Sequence, residues 1–426
     1  MVYVVLFFAI FLLMGMPVAF AIGISGFIFF ILQPTLPYTM PVQLVLSQTQ
    51  NFPLLAIPMF IFAGNLMNNS GITKRLVNLS SVLVGHKPGG LAQTSVVLSS
   101  LMGGVSGSAI ADSSMESRIL GPDMTKQGYA RGYSAGINGY SALITISIPP
   151  SIGLVLYGSI GEVSIGRLFA GGIGPGLLMM LSLMLTVSIT AKKKGYLPEN
   201  KARAPLKKMA ATFMKSIWAI FFPLILLVTL RLGLMLPSEA GALAAVYALA
   251  VGLVIYRELT WERFKNAIFD TILDVGMIMY LIALSGMVSY GITWEMIPQL
   301  LSQYLLGLSD NPLIITIIIL LFLLLLGTVI DSTVIILLLT SILVPVMKNL
   351  GVDLVYFGVV MVITCAIGLF TPPVGVGMYS VCSIMNCSVG EFLRESWQFF
   401  IAVVAVISLC VLFPSIVTFI PNLIFG

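Results

Sequence analysis

Charged residues are scarce in this chain of 426 residues. Only 9% are Asp, Glu, Lys or Arg, while 58% are hydrophobic; in an average soluble domain roughly a quarter are charged. This balance excludes a water-soluble fold. Apolar stretches of about 20 residues, long enough to cross a bilayer, recur from Val2 to Phe425. The sequence therefore predicts an all-α polytopic membrane protein without a separate soluble domain.

Histidine and cysteine are also rare. The chain has one histidine, His86, and four cysteines, none of them in a C-x-x-C pair. One histidine cannot complete the ligand set of a zinc site, and cysteines in apolar surroundings usually pack as small hydrophobic residues. The formal net charge of +5 is too small to suggest nucleic acid as a partner. These absences argue against redox, zinc and nucleic-acid functions.

The basic residues that are present concentrate in residues 191–215, which carry eight Lys or Arg against one acid, Glu199. The positive-inside rule places such a stretch on the cytoplasmic side. Two apolar spans, near residues 216–234 and 239–256, then return the chain to a second basic loop on the same side. We therefore predict a cytoplasmic linker at 191–215 between a first half, 1–190, and a second half, 216–426.

The two halves share a weak internal repeat. Residues 118–124 (RILGPDM) correspond to 341–347 (SILVPVM), and Pro149-Pro150 corresponds to Pro372-Pro373, both at an offset of 223. Two further landmarks repeat at offsets of 220 and 224. Each half is predicted to cross the membrane an odd number of times, so the two repeats have opposite orientations. Inverted-topology repeats are a recurring transporter architecture.

Each half contains two interrupted apolar segments at matching places. Residues 91–121 are broken at 102–109 (MGGVSGSA) and residues 312–347 at 327–333 (GTVIDST), and both patterns predict re-entrant helical hairpins. A proline pair then breaks a later span in each half, near 149–153 and 371–377, because proline lacks an amide donor and clashes with the preceding turn. Unwound backbone is tolerated in a membrane only against protein or a water-filled cavity. The four breaks therefore predict a shared polar cavity.

The chemistry of the breaks predicts a site for dehydrated sodium ions. Main-chain carbonyls and hydroxyls are hard oxygen ligands, and five hydroxyl side chains lie at the breaks: Ser106, Ser108, Thr328, Ser332 and Thr371. Asp112 and Asp331 follow the hairpin breaks. An aspartate in the bilayer interior costs at least about 2.5 kcal/mol, so each acid either binds a cation or organises a hairpin tip. Glu116 and Arg118, near the end of the first hairpin, are interpreted as interfacial.

Three other functions fit parts of this pattern less well. Residues 104–107 match the G-x-S-G of rhomboid-type proteases, but no histidine follows them to act as a base. Re-entrant hairpins also build channel filters, although channels of that kind usually repeat the hairpin around a pore. A structural membrane anchor has no use for broken helices. An ion-driven secondary transporter is therefore the main prediction, and an intramembrane serine protease or a channel is the alternative.

With these motifs in place, the sequence resembles a known family, the large membrane (M) subunit of TRAP (tripartite ATP-independent periplasmic) transporters. The resemblance covers the whole chain and lies in residues 104–112 (GVSGSAIAD), 148–151 (IPPS), 236–240 (LPSEA) and 368–375 (GLFTPPVG). It implies an elevator-type member of the ion-transporter superfamily, with a scaffold and a mobile part that carries both hairpins. Relatives often have a Thr- or Ser-rich stretch before the first proline pair, where this chain has residues 138–141 (NGYS). That departure leaves cargo contacts on this segment open.

The resemblance also implies partners, ions and ligands. The partners are a small membrane (Q) subunit and a periplasmic substrate-binding (P) protein, at the inner membrane of a bacterial cell. The cargo is a carboxylate solute imported with Na+, two or more ions per cycle. The motifs are most similar to the sialic acid branch, with a C4-dicarboxylate importer as the alternative. The implied sodium ligands lie at the four breaks: Ser106, Gly107, Ser108, Asp112, Pro149, Pro150, Ser151, Gly153, Gly327, Thr328, Asp331, Ser332, Gly368, Thr371, Pro372 and Gly375.

Overall fold

The computed structural model describes residues 1–50, 52–200, 202–309 and 311–426, and it contains no β-strand in these ranges. Single turns of 3-10 helix (Phe52–Leu55) and π-helix (Val251–Ile255) accompany the α-helices. The α-helices are α1 (Val2–Leu13), α2 (Val18–Leu32), α3 (Met40–Thr49), α4 (Ala56–Asn69), α5 (Ile72–Val84), α6 (Gly90–Met102), α7 (Ala109–Ile119), α8 (Gly121–Lys126), α9 (Arg131–Ser141), α10 (Leu143–Ser147), α11 (Ile152–Ile160), α12 (Ile165–Lys194), α13 (Leu206–Arg231), α14 (Pro237–Ala250), α15 (Trp261–Trp294), α16 (Ile297–Leu308), α17 (Pro312–Gly327), α18 (Ser332–Asn349), α19 (Leu354–Gly368), α20 (Val376–Met385), α21 (Val389–Leu412) and α22 (Ser415–Phe425).

Several helices have the length and composition of membrane spans. In the described ranges six helices qualify, or up to eight if two bent pairs each count as one span. In α12 the residues Leu181, Leu185 and Ile189 are exposed along one face, whereas Leu183 and Val187 are fully buried on the other. A membrane-spanning helix that faces lipid needs apolar residues on both faces, because one face contacts the protein and the other contacts lipid. The predicted all-α polytopic membrane fold is therefore confirmed.

Two helical hairpins, each followed by a broken helix, occur in succession along the chain. Hairpin 1 consists of α6, the turn 103–108 and α7, and hairpin 2 consists of α17, the turn 328–331 and α18. Broken helix 1 consists of α9 and α10, break 1 (148–151) and α11; broken helix 2 consists of α19, break 2 (369–375) and α20. The offset of 223 also relates the first residues of α9 and α19, Arg131 and Leu354. A proline pair joined by a cis peptide bond lies in each break.

The predicted linker is partly helical. Helix α12 continues to Lys194 and α13 begins at Leu206, so residues 195–205 separate them, with Lys201 outside the described residues. Lysine favours helices, and its long stem lets the ammonium group reach water from a membrane-spanning helix. Helix α12 ends at Gly195, which has a φ of +71°. Helix α13 begins directly after Pro205. The division of the chain into halves around this segment stays a prediction.

The base of hairpin 1 and the second basic loop lie on the same face as the linker. The amide of Gly89, just before α6, donates to the carbonyl of Tyr196 in the linker at 3.2 Å. Helix α5 contacts both basic regions, because its Ser81 hydroxyl donates to the Glu199 carboxylate at 2.7 Å and its Arg75 forms an ion pair of 2.8 Å with Glu258. Hairpin 1 therefore enters the fold from the linker face.

Candidate ion-binding site at the hairpin tips

The tip of hairpin 1 contacts break 1. Gly107 has a φ of +64°, and a Cβ atom there would lie 2.3 Å from the carbonyl oxygen of Pro150. Only glycine allows this approach, because it tolerates the left-handed conformation and leaves the space free. The N-caps of two helices are brought together as a result: Ser108 accepts from the Ala111 amide at the start of α7, and Ser151 from the Leu154 amide at the start of α11, each at 3.4 Å.

The tip of hairpin 2 is joined to break 2 by the main chain. The Thr328 carbonyl accepts from the amides of Val374 and Gly375, both at 3.0 Å. At the same crossing the backbones of Gly327 and Gly368 touch, since a Cβ atom on Gly368 would lie 2.1 Å from the carbonyl carbon of Gly327. The hairpin tip and the proline break, more than 40 residues apart in sequence, therefore form one structural unit.

The two tip-and-break units are also connected to each other. The Tyr140 hydroxyl on α9 donates to the Phe370 carbonyl in break 2 at 3.0 Å. The hydroxyl groups of Ser114 on α7 and Ser380 on α20 are 2.8 Å apart. Each hairpin and each broken helix therefore contributes to one region, which brings the four predicted breaks together.

The two predicted acids occupy different positions in their hairpins. Asp331 is the N-cap of α18, with its Oδ1 accepting from the Thr333 amide at 2.8 Å. By the offset of 223 it corresponds to Ser108, the N-cap of α7. Both aspartate and serine supply the side-chain oxygen that an N-cap needs. Asp112 lies one helical turn further on and corresponds to Ile335, which is buried. Neither acid therefore has an acid at the corresponding position of the other half.

Asp112 is a buried acid whose carboxylate is only partly hydrogen-bonded. It is 1% exposed, and its Oδ2 has no hydrogen-bond partner within the described part of the chain. The side chains of Ser106 and Thr145 face the carboxylate. A buried carboxylate oxygen without a partner is costly in an apolar environment, so this position suits a cation coordinated by oxygen atoms.

The remaining predicted ligands lie around the same contacts. Thr371 donates its hydroxyl to the Gly368 carbonyl at 3.0 Å, and the Ser106 hydroxyl accepts from the Ser108 amide at 3.3 Å. Gly153 lies in the first turn of α11 against Val362 of α19. Hydroxyl and carbonyl oxygens surround the tips, and the described residues contain no group of three or more His, Cys, Asp or Glu side chains that could hold a metal. This donor set fits a hard monovalent cation better than a transition metal.

Glu116 is the important residue that the sequence analysis misplaced. The interpretation of Glu116 as interfacial is wrong, because its side chain is fully buried. Ser95 and Ser99 of α6 donate to its two carboxylate oxygens at 2.6 Å. Arg118, two residues later, is exposed. The signal was the spacing of four residues between Asp112 and Glu116, which places both on one helix face.

The segment that departs from the resembled family contacts the same glutamate. The Ser95 hydroxyl, which donates to Glu116, also lies 2.9 Å from the side-chain Oδ1 of Asn138, and Ser141 donates to Glu116 at 3.3 Å. Both side chains are buried, as is that of Tyr140. Residues 138–141 therefore make internal hydrogen bonds rather than a surface open to cargo.

The chain matches a known protein family over almost all of its length. Residues 5–416 match the family described as "Tripartite ATP-independent periplasmic transporter, DctM component". The 2,3-diketo-L-gulonate TRAP transporter large permease protein YiaN of Escherichia coli is 35% identical over 96% of this chain and 94% of its own length. The sialic acid TRAP transporter large permease protein SiaM of Vibrio cholerae is 34% identical over 97% of this chain and 96% of its own.

A third relative is longer than this chain, and a solved transporter structure shares its fold. The isethionate TRAP transporter permease protein DctMQ of Oleidesulfovibrio alaskensis is 33% identical over 97% of this chain, which covers 65% of that longer protein. The crystal structure of the Alcanivorax borkumensis YdaH transporter superposes with a TM-score of 0.62 over 88% of both chains at 12% identity. That likeness supports the fold alone. The family match and the relatives assign the chain to a transporter rather than an enzyme, and it belongs to the DctM family of large TRAP transporter permease subunits.

Proposed function

We propose that this protein imports a carboxylate solute together with sodium ions. The observation that carries the proposal is that each hairpin tip contacts its own proline break, and that Asp112, beside the first tip, has a buried Oδ2 without a hydrogen-bond partner in the described residues. Oxygen ligands without basic side chains suit a hard cation, and residues 102–109 and 327–333 contain no Lys or Arg. The ligands proposed are those that the sequence analysis named at the four breaks.

The bound ions would complete the site for the anion. Sodium ions at the tips would neutralise the cargo's carboxylate, and the N-termini of α7, α11 and α18 add partial positive charge near the breaks. The whole unit would then move across the membrane relative to the scaffold, as an elevator. Each net positive charge moved inward gains about 2.3 kcal/mol per 100 mV of membrane potential, so an excess of sodium over cargo charge would drive accumulation.

The relatives support an anionic cargo. Their names specify diketogulonate, sialic acid and isethionate as substrates, all of them small organic anions. We propose sialic acid as the first substrate to test and a C4-dicarboxylate as the second. About one third of the DctMQ relative lies outside the part that this chain matches. Its name indicates a Q subunit fused to the M subunit, which supports a separate Q subunit as the partner of this chain.

The remaining parts of the proposal concern assembly and placement. A periplasmic binding protein would deliver the cargo to this chain and its Q subunit at the bacterial inner membrane. The linker at residues 191–215 would face the cytoplasm, because it carries the lysines at 192–194 and the second basic loop carries Arg257 and Arg263. Hairpin 1 would then open toward the cytoplasm at its base.

The proposal predicts that uptake depends on an inward sodium gradient. Proteoliposomes with this chain, its Q subunit and the binding protein should accumulate sialic acid when the external salt is NaCl. Replacing sodium by potassium or choline should reduce the initial rate by about tenfold or more, because the larger ions do not fit ligands set for sodium. A rate unchanged by this replacement would remove sodium from the account, and a rate seen only with a C4-dicarboxylate would change the cargo.

A further inference from the structure

Glu116 joins three helices in the interior of hairpin 1. Its Oε1 accepts from Ser99 and its Oε2 from Ser95, both at 2.6 Å, so the carboxylate on α7 is bonded to α6, the other arm of the hairpin. Ser141 on α9 adds a third donor at 3.3 Å. No ion pair in the described residues involves Glu116, so only neutral side chains hold it. We call Glu116, Ser95, Ser99, Asn138 and Ser141 the Glu116 cluster.

The cluster is absent from the second half of the chain. Through the offset of 223, its five members correspond to apolar residues and one threonine: Leu339, Ile318, Phe322, Met361 and Thr364. Hairpin 2 nevertheless forms with two arms and a tip on its proline break. Because the repeat folds without these polar groups, the cluster is not required to build a hairpin of this kind.

The two hairpins also differ in how they are embedded. All but two residues of α6 are buried, whereas Ile318 and Phe322 of α17, at the positions of Ser95 and Ser99, are 39% and 51% exposed. A buried polar network that is fully bonded fixes one arrangement of the helices around it. Hairpin 1 therefore has a polar lock between its arms that hairpin 2 lacks.

The lock bears directly on the ion-binding side chain. Asp112 lies four residues before Glu116 on the same face of α7, and the Ser106–Ser108 turn precedes α7 immediately. A rotation or shift of α7 would move both the carboxylate and the turn away from break 1. We propose that Glu116 is a positioning residue that fixes α7 against α6 and α9, and so holds Asp112 and the first hairpin tip in place for ion binding.

Two substitutions at Glu116 separate hydrogen bonding from charge. Glu116→Leu introduces the residue found at the related position 339 of hairpin 2 and removes all the bonds. Glu116→Gln keeps all three contacts with two of them reversed: its amide oxygen accepts from Ser99, and its NH2 donates to Ser95 and Ser141, whose hydroxyls can then donate to the side-chain oxygen and the main-chain carbonyl of Asn138. Ser99→Ala removes one contact between the arms, and Ser113→Ala is its matched control, because Ser113 donates only within α7, to Ile110.

Hydrogen exchange of the intact transporter complex in sodium-free detergent tests the lock without reference to transport. Amides 104–112 should exchange more slowly than amides 327–335 in the wild type. Exchange at 104–112 should accelerate about tenfold in Glu116→Leu, as expected for loss of a buried hydrogen-bonding centre. It should accelerate by about threefold in Ser99→Ala, for loss of one bond, and stay at the wild-type rate in Glu116→Gln and Ser113→Ala.

Unchanged exchange at 104–112 in both Glu116→Leu and Ser99→Ala would overturn the proposal. If Glu116→Leu does not fold, the exchange rates of Ser99→Ala decide.

The effect on ion affinity rests on the proposed sodium coupling and is measured separately. The sodium concentration for half-maximal uptake should rise about tenfold in Glu116→Leu while the maximal rate changes less, and Glu116→Gln should match the wild type. If the sodium concentration for half-maximal uptake rises in Glu116→Gln as much as in Glu116→Leu, the negative charge matters and the positioning role is wrong. If sodium has no effect on uptake by the wild type, the proposed function is wrong. The hydrogen-exchange rates still decide whether the Glu116 cluster fixes α7 against α6.

Discussion

Replacing Gly368 by alanine should abolish uptake and destabilise the protein. The added Cβ would lie between 2.1 and 2.4 Å from the carbonyl carbon, Cα and oxygen of Gly327. These are backbone atoms, so no side chain can rotate away, and the hairpin tip must separate from break 2. Overpacking of this kind typically costs about 1–3 kcal/mol. We expect uptake below about a tenth of the wild-type rate, since a displaced tip loses the geometry that ion binding needs.

Thermal unfolding of the purified protein and uptake in proteoliposomes measure the two effects. Gly276→Ala in α15 is the matched control, because its Cβ would meet no atom within 4 Å and alanine favours a helix more than glycine does. The control should be as stable and as active as the wild type. Full uptake by Gly368→Ala would show that the close crossing of Gly327 and Gly368 is not part of the working site.

Asp331→Asn should weaken sodium activation without disrupting hairpin 2. Asparagine caps a helix about as well as aspartate, so the bond to the Thr333 amide should survive while the negative charge is lost. A carboxylate bound to a cation in a partly desolvated site contributes more than a neutral amide. We expect the sodium concentration for half-maximal uptake to rise by about tenfold or more.

Asp353→Asn is the control for the charge change. Asp353 is also an N-cap, of α19, and accepts from the Tyr356 amide at 2.8 Å, but it lies at the far end of that helix from break 2. Its substitution should leave sodium activation unchanged. Equal sodium activation in wild type, Asp331→Asn and Asp353→Asn would mean that Asp331 only organises the tip, which is the alternative that the sequence left open.

The breaks could be predicted from sequence because their chemistry is local. A proline pair interrupts a helix whatever surrounds it, and the Gly-rich run before Ser108 cannot sustain one. The offset of 223 then identified matching elements without any structure. The same local signals predicted hairpins at 91–121 and 312–347, close to the observed α6–α7 and α17–α18.

Contacts between distant segments could not be predicted in this way. The crossing of Gly327 and Gly368 depends on how two helices pack. The residues that flank these glycines give no sign that their backbones touch, because glycines in loops have similar neighbours. The burial of Glu116 depends on serines in another helix, Ser95 and Ser99, whose direction only the fold determines. The equivalence of Asp331 and Ser108 depends on where α18 and α7 begin, because both residues are N-caps.

Equilibrium binding of radioactive sodium to the purified protein in detergent tests the central claim, that the tips and breaks hold dehydrated cations. The account predicts saturable binding that unlabelled sodium displaces and potassium does not, and that is strongly reduced in Gly368→Ala but retained in Gly276→Ala. Absence of saturable sodium binding to a folded wild-type protein, or equal binding in the two glycine variants, would contradict it.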